Sequence, residues 1–160
     1  MKFSDFICGD AILTDLRSTD REGAIREIVN ALRDANAFSA EKAENVYDAI
    51  INREKIVTTG VGRGIAVPHA KVDGVPRMTC ALAISREGLD FSSLDCEKVK
   101  IFFLLVSPAN APREHLNAQQ YITRFIRSDE FRSTILAAAD AEELKAALDA
   151  ADASVVDEEA

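Results

Sequence analysis

Only three cysteines occur in the 160-residue chain, Cys8, Cys80 and Cys96. An odd, sparse set makes a poor disulfide framework, and without a CxxC pair it makes no zinc ribbon. The expectation is three free thiols serving as small core residues in a reducing cytoplasm. Histidine is scarcer still, with His69 and His115 alone. Two histidines, not spaced as a His-x₃-His pair, are too few for zinc without carboxylate help, so no metal is expected. No run approaches 18 apolar residues, which excludes a transmembrane helix. The first five residues, Met-Lys-Phe-Ser-Asp, lack the apolar stretch of a secretory signal. Basic side chains are outnumbered 19 to 27, for a net charge of −8. Such a surface repels phosphate backbones and anionic lipid, which argues against nucleic-acid partners and against direct membrane insertion or binding.

What remains is an ordinary globular composition, 48% hydrophobic and 29% charged. A chain of this length buries roughly 70% of the surface its unfolded form exposes, enough for one core without staples. No internal repeat or linker divides it. The expectation is one domain over residues 1–151, followed by an acidic, frayed tail at 152–160.

The coarse elements alternate between strand and helix. Residues 12–16 suit a short strand. Thr19 and Glu22 have the spacing of a capping box, ahead of a helix burying Ala24, Ile25, Ile28, Val29 and Leu32. Ser39 suits the N-cap of a second helix, with Ala43, Val46, Tyr47, Ile50 and Ile51 inward, ending near Arg53-Glu54. Residues 78–85 and 101–106 read as strands, the second apolar enough to be buried on both faces. Asn110 is placed to cap a helix on which His115 leads a stripe of Ala118, Gln119, Ile122 and Ile126. Two further helices follow Ser128 and Asp140. This pattern predicts a single-domain α/β layer sandwich.

Residues 58–70 form the least ordinary segment. Three of the seven glycines, Gly60, Gly62 and Gly64, fall within it. Glycine permits close approaches and turns that a Cβ blocks. Pro68 then stiffens the chain and biases Val67 toward an extended form, so His69 follows a permissive loop on a rigid piece. Familiar nucleotide motifs fail here. Gly64 is not followed by Lys and Ser or Thr, as a phosphate-binding P-loop requires. Gly62-Arg63-Gly64 is not completed by Gly or Ala at position 67, where valine stands. No Gly-x-Ser-x-Gly elbow is present. A cysteine–histidine nucleophilic pair has no spacing to support it.

The histidines carry the remaining chemistry. Neutral imidazole has a nucleophilic lone pair that can attack phosphorus and hold a phosphoryl group covalently. Such a site needs donors for the three phosphoryl oxygens in the transition state. Glycine-loop N–H groups, Arg53, Arg63 and His115 are candidates. The plainer alternative is an incidental loop histidine and an unrelated helix-start histidine.

Residues 62–70, Gly-Arg-Gly-Ile-Ala-Val-Pro-His-Ala, resemble the active-site signature of enzyme IIA of the phosphoenolpyruvate:sugar phosphotransferase system. The likeness is to the fructose–mannitol type (EIIA type 2), which includes the nitrogen-regulatory IIA proteins. Arg53-Glu54-Lys55 before Thr59-Gly60, Gly88-Leu89-Asp90-Phe91, the run 99–108 and His115-Leu116 extend it across nearly the whole chain. The resemblance implies that His69 is phosphorylated through Nε2, with Arg53 beside it and His115 as the second histidine of the pocket. It implies an α/β fold with a central mixed sheet flanked by helices on both sides, and a phosphoryl relay that uses neither organic cofactor nor metal. The donor would be phospho-HPr or a nitrogen-branch HPr, and the acceptor an enzyme IIB or a regulatory target. The alternative is a regulatory switch whose phosphorylation selects its partner, with little onward transfer. No transport module accompanies the domain, which tilts the expectation toward regulation. Three features depart from the family pattern: Ala70 where glycine is common, Cys96 where a glycine often ends the turn before the central strand, and the stretch Asn117-Ala118-Gln119-Gln120 after His115, more polar than usual on a face expected to meet a partner.

Overall fold

The computed structural model describes residues 1–159, with side chains through residue 155. The elements in chain order are α1 (Phe3–Phe6), β1 (Ile7–Leu13), α2 (Arg21–Asp34), α3 (Ala40–Ile56), β2 (Gly60–Gly62), β3 (Ile65–Ala66), β4 (His69–Val72), β5 (Thr79–Leu89), β6 (Val99–Pro108), α4 (Pro112–Ile126), α5 (Asp129–Ala137) and α6 (Ala141–Glu159). The expected α/β sandwich with a central mixed sheet is present. Strand order is β1-β5-β6-β3-β2, with β4 also pairing β6. β5 runs antiparallel to β6, while β1 is parallel to β5, and β3 and β4 are parallel to β6.

The apolar run at 101–106 becomes the central strand because both of its faces are covered. Ile101, Phe103 and Leu105 join the core beneath α1, α4, α5 and α6. Phe102, Leu104 and Val106 join the core beneath α2 and α3. Alternation at period two assigns each side chain to one layer or the other. A fully buried phenylalanine such as Phe102 or Phe103 stabilises the fold by about 3 kcal/mol relative to leaving it exposed.

Several local expectations need correction. The cap of α2 is Asp20, whose carboxylate accepts the Gly23 N–H at 2.6 Å; Thr19 is one residue early. A charged acceptor also complements the positive end of the helix, which favours Asp20 over a hydroxyl. Asn110 does not cap α4. Pro112 occupies the first turn, which sets the N-cap at Ala111, a residue without a capping side chain. Ser39 and Ser128 do cap their helices, accepting from the Lys42 and Phe131 N–H groups. The strand expected at 12–16 spans Ile7–Leu13 instead, preceded by the short α1. All three cysteines are free, but they are not all core residues: Cys80 is buried, Cys8 half-buried and Cys96 exposed.

The frayed tail expected from residue 152 does not begin there. α6 continues to Glu159, and Asp152 and Val155 are buried. Side chains beyond 155 lie outside the described residues. Asp152 accepts the Phe3 N–H at 2.7 Å, the Ser4 N–H at 3.1 Å and the Tyr121 hydroxyl at 2.6 Å. It therefore ties α6 to both α1 and α4. Burial, reinforced by the Asp152 carboxylate, pushes the Tyr121 hydroxyl well above its ordinary pKa. Asp152→Ala strands three donors, and bonds to a charged acceptor are worth roughly 1.5–3 kcal/mol each. The variant should lose about 3 kcal/mol and melt about 10 °C lower in a thermal scan; an unchanged melting temperature would show that the clip contributes nothing.

Candidate active site

Residues 60–72 are built mainly from three short strands around the glycine turn, with His69 opening the extended β4, and these set the positions of the site residues. Gly62, Arg63 and Gly64 turn between β2 and β3 with φ of 100°, 59° and 78°. Three successive left-handed residues need glycine at two of the positions. Asp95 secures the turn by accepting the Arg63 N–H at 2.9 Å. β3 then pairs with Ile101 and Phe102 of β6, and β4 pairs with Leu105 through Pro108. Val67 and Pro68 bridge the two strands. The Val67 N–H donates to the Thr59 carbonyl, and the Pro68 carbonyl accepts from Leu105.

The register fixes which side chains meet. Ala70 and Val72 join the core facing α2 and α3. Alternation therefore turns His69 and Lys71 to the α4 side. Ser107, opposite Lys71 in the ladder, has its hydroxyl 2.6 Å from Nδ1 of His115. The rings of His69 and His115 lie 5.4 Å apart, centroid to centroid. α3 ends at the same edge of the sheet and brings Arg53. The result is an open cavity of about 400 Å³ lined by Ala49, Arg53, His69, Ala70, Lys71, His115 and Gln119.

His69, Arg53 and His115 thus share one cavity. Arg63 and the glycine turn do not reach it. The Gly64 carbonyl accepts from Lys100 and Ile101, whereas His69 sits opposite Leu105. Four residues of strand separate these positions, about 13 Å at the rise of a β-strand. The Arg63 guanidinium instead donates to the Arg127 carbonyl at 3.2 Å. Lys71 went unremarked in the sequence, and Glu54 entered only as part of the Arg53-Glu54-Lys55 stretch. Lys71 lies two residues past His69, and period two puts both on one strand face. Glu54, beside Arg53, is buried with 3% of its surface exposed. Nothing in the sequence marks a helix-terminal glutamate as buried.

Hydrogen bonding sets the tautomer of His69. Its Nδ1 lies 2.8 Å from the Val67 carbonyl oxygen, which can only accept. Nδ1 therefore carries the proton and donates, leaving Nε2 with the lone pair. Burial lowers the pKa of His69 below its ordinary 6.5. The Val67 carbonyl opposes that fall, Arg53 and Lys71 add to it, and Glu54 works against it. His115 is lowered further, to about 4, by burial first and then by the charges of His69 and Lys71. Both imidazoles are neutral at pH 7. The Ser107 hydroxyl can donate to Nδ1 of His115, which leaves an Nε2–H as a neutral donor. Arg53 keeps one nitrogen on the Val57 carbonyl at 3.0 Å, with the rest of its fork available. The arrangement offers a lone pair and cationic and neutral donors in one opening. Among the described residues no group of His, Cys, Asp and Glu side chains could hold a metal ion, and no helix is long and apolar enough to cross a membrane.

Cys96, the second departure from the family pattern, has φ of 63°. The left-handed backbone there explains why glycine suits that position.

Residues 5–151 match the family model of the phosphoenolpyruvate-dependent sugar phosphotransferase system, EIIA 2. A fructose-specific EIIA component of Haloferax volcanii is 36% identical over 118 residues, covering 74% of this chain and 75% of that protein. A nitrogen regulatory protein of Bradyrhizobium diazoefficiens is 29% identical over 148 residues, covering 92% and 95%. Among solved structures, nitrogen regulatory protein IIA-Ntr of Neisseria meningitidis superposes with a TM-score of 0.82 at 26% identity, covering 91% of this chain and 98% of that one. The matched sequence spans every strand and the whole cavity lining, so the chain belongs to the EIIA 2 family of phosphotransferase-system components.

Proposed function

We propose that the protein relays a phosphoryl group through Nε2 of His69. The carrying observation is the bond from Nδ1–H to the Val67 carbonyl, which leaves Nε2 as the nucleophile. In the forward step the Nε2 lone pair attacks the phosphorus of a phosphohistidine on a carrier, HPr or a nitrogen-branch HPr. The new Nε2–P bond forms as the carrier's P–N bond breaks, and the carrier nitrogen keeps that electron pair. Arg53 and Lys71 balance the charge on the phosphoryl oxygens, and the His115 Nε2–H donates to them as they move. In the second step a nucleophile on an enzyme IIB attacks the phosphorus, the Nε2–P bond breaks and Nε2 regains its lone pair, or the phosphorylated protein engages a regulatory target. Of the three named relatives one is sugar-specific and two are nitrogen regulators, which supports either output.

The direct test is incubation with phosphoenolpyruvate, enzyme I and HPr. The expected product carries one acid-labile, alkali-stable phosphate per chain. Absence of label with either HPr type would overturn the reading. Arg53→Lys keeps the charge and loses the two-pronged donor. It should slow phosphoryl acceptance about tenfold in single-turnover assays, and full activity would remove Arg53 from the site.

A further inference from the structure

Glu54 is a buried carboxylate that the relay as described does not use. Its Oε1 accepts the Thr59 N–H at 2.7 Å and its Oε2 accepts the Thr59 hydroxyl at 2.6 Å. Both bonds run into the carboxylate, and among the described residues no lysine or arginine pairs with it. Burying an unpaired charge is costly, and a pair of bonds from one threonine is a modest return. The Thr59 carbonyl in turn accepts the Val67 N–H, and the Val67 carbonyl accepts Nδ1–H of His69. The carboxylate thus stands at the far end of the chain of contacts that fixes the His69 ring. It also lies within electrostatic reach of that ring.

We infer that Glu54 is a positioning residue for His69: its charge stabilises the cationic ring that forms when Nε2 takes a phosphoryl group, and its bonds to Thr59 hold the Val67 carbonyl on Nδ1–H. The argument rests on His69 being the acceptor. Attack through Nε2 while Nδ1 keeps its proton converts a neutral imidazole into a phospho-imidazolium. Proton loss from Nδ1 would leave a lone pair facing the Val67 oxygen, so the positive charge is retained. Arg53 from α3, Lys71 from β4 and the neutral His115 from α4 are the other groups facing this ring. Two of them are cations that serve the phosphoryl oxygens and oppose a cationic ring. Glu54 is an acidic side chain within electrostatic reach of the ring, and it does not line the cavity. A carboxylate in the cavity itself would repel the phosphoryl group; Glu54, buried against Thr59, is kept out of it.

Glu54→Gln separates charge from packing. Glutamine keeps the shape, accepts the Thr59 N–H and can donate to the Thr59 hydroxyl. The readouts are the His69 pKa from NMR titration and the lifetime of the phosphohistidine. The expected results are a fall of roughly half to one unit in the His69 pKa and a phosphohistidine formed three- to tenfold less favourably. Thr59→Ala retains the carboxylate and the backbone N–H bond and loses only the hydroxyl bond, so it should lose stability and lower the His69 pKa less than Glu54→Gln does. A Glu54→Gln protein that titrates and accepts phosphate like wild type overturns the inference. Carbon-13 shifts of the Glu54 carboxyl in the unmodified protein supply a test that needs no variant: a protonated carboxyl at pH 7 also overturns it. If wild type takes no phosphate but the His69 pKa still falls in Glu54→Gln, the coupling stands and the acceptor assignment fails.

Discussion

His69→Ala should fold normally and accept no phosphate from phospho-HPr, a loss beyond the assay floor. The side chain is at the cavity wall and not in the core, so removing it costs contacts with Val67 and little packing. The only other imidazole, His115, is buried and has Nδ1 engaged by Ser107. Its Nε2 becomes a nucleophile only if the ring changes tautomer and Ser107 turns from donor to acceptor. Stoichiometric labelling of the variant would therefore refute the assignment outright. The pH dependence of the wild type follows from the same tautomer. Neutral imidazole is the reactive form, and the His69 pKa lies below 6.5 because burial disfavours its charge. Acceptance should be flat above pH 7 and fall as pH drops through that lowered pKa, close to tenfold per unit beyond it. A rate that rises in acid would mean that the protonated ring reacts, which the lone-pair mechanism forbids.

Replacing His115 should slow both half-reactions by about two orders of magnitude, the usual loss for one preorganised donor to a developing oxyanion. Its contribution belongs to the transition state, so the fraction of protein finally phosphorylated should change far less than the rate. Single-turnover kinetics with His115→Ala separate the two. His115→Gln places an amide N–H near the position of Nε2–H and should recover part of the rate. If His115→Ala matched wild type in both directions, the histidine would be a packing residue. A second signature is thermodynamic. The folded pKa of about 4 lies below the unfolded value of 6.5. The unfolded chain therefore binds more protons between those values. Stability from this group is complete above pH 6.5 and is lost as pH falls toward 4, by on the order of 2–3 kcal/mol. The stability difference between wild type and His115→Gln should follow that slope, and a difference independent of pH would show that the imidazole is not held neutral by the fold.

The period-two and period-3.6 patterns made the layers of the fold legible, because each strand and helix alternates against a definite core. Ile101 to Val106 announced a strand with two buried faces, and the stripe led by His115 announced an inward helix start. The short strands β2, β3 and β4 were not legible. With two to four residues each, they exist through pairing with β6 and not through local propensity. Capping was readable where a serine had no competitor, and misread where Asp20 or Pro112 decided the helix start. His69, Arg53 and His115 could be named from their motif. Lys71 needed the strand assignment at 69–72 before its face was known. Glu54 needed the tertiary structure, since its burial depends on the chain returning through Thr59.

β4 is bonded to the sheet through β6, and the end of α3 and the start of α4 flank the same opening. In the proposed relay, phosphoryl donor and acceptor both reach His69 through this opening, so alternating visits rather than a ternary complex are the expected result. Steady-state rates with varied donor and acceptor should give parallel double-reciprocal lines. For a regulatory partner the same geometry acts as insulation. While such a partner covers the opening, the charge state of the pocket is frozen, and the signal persists for the residence time of the complex.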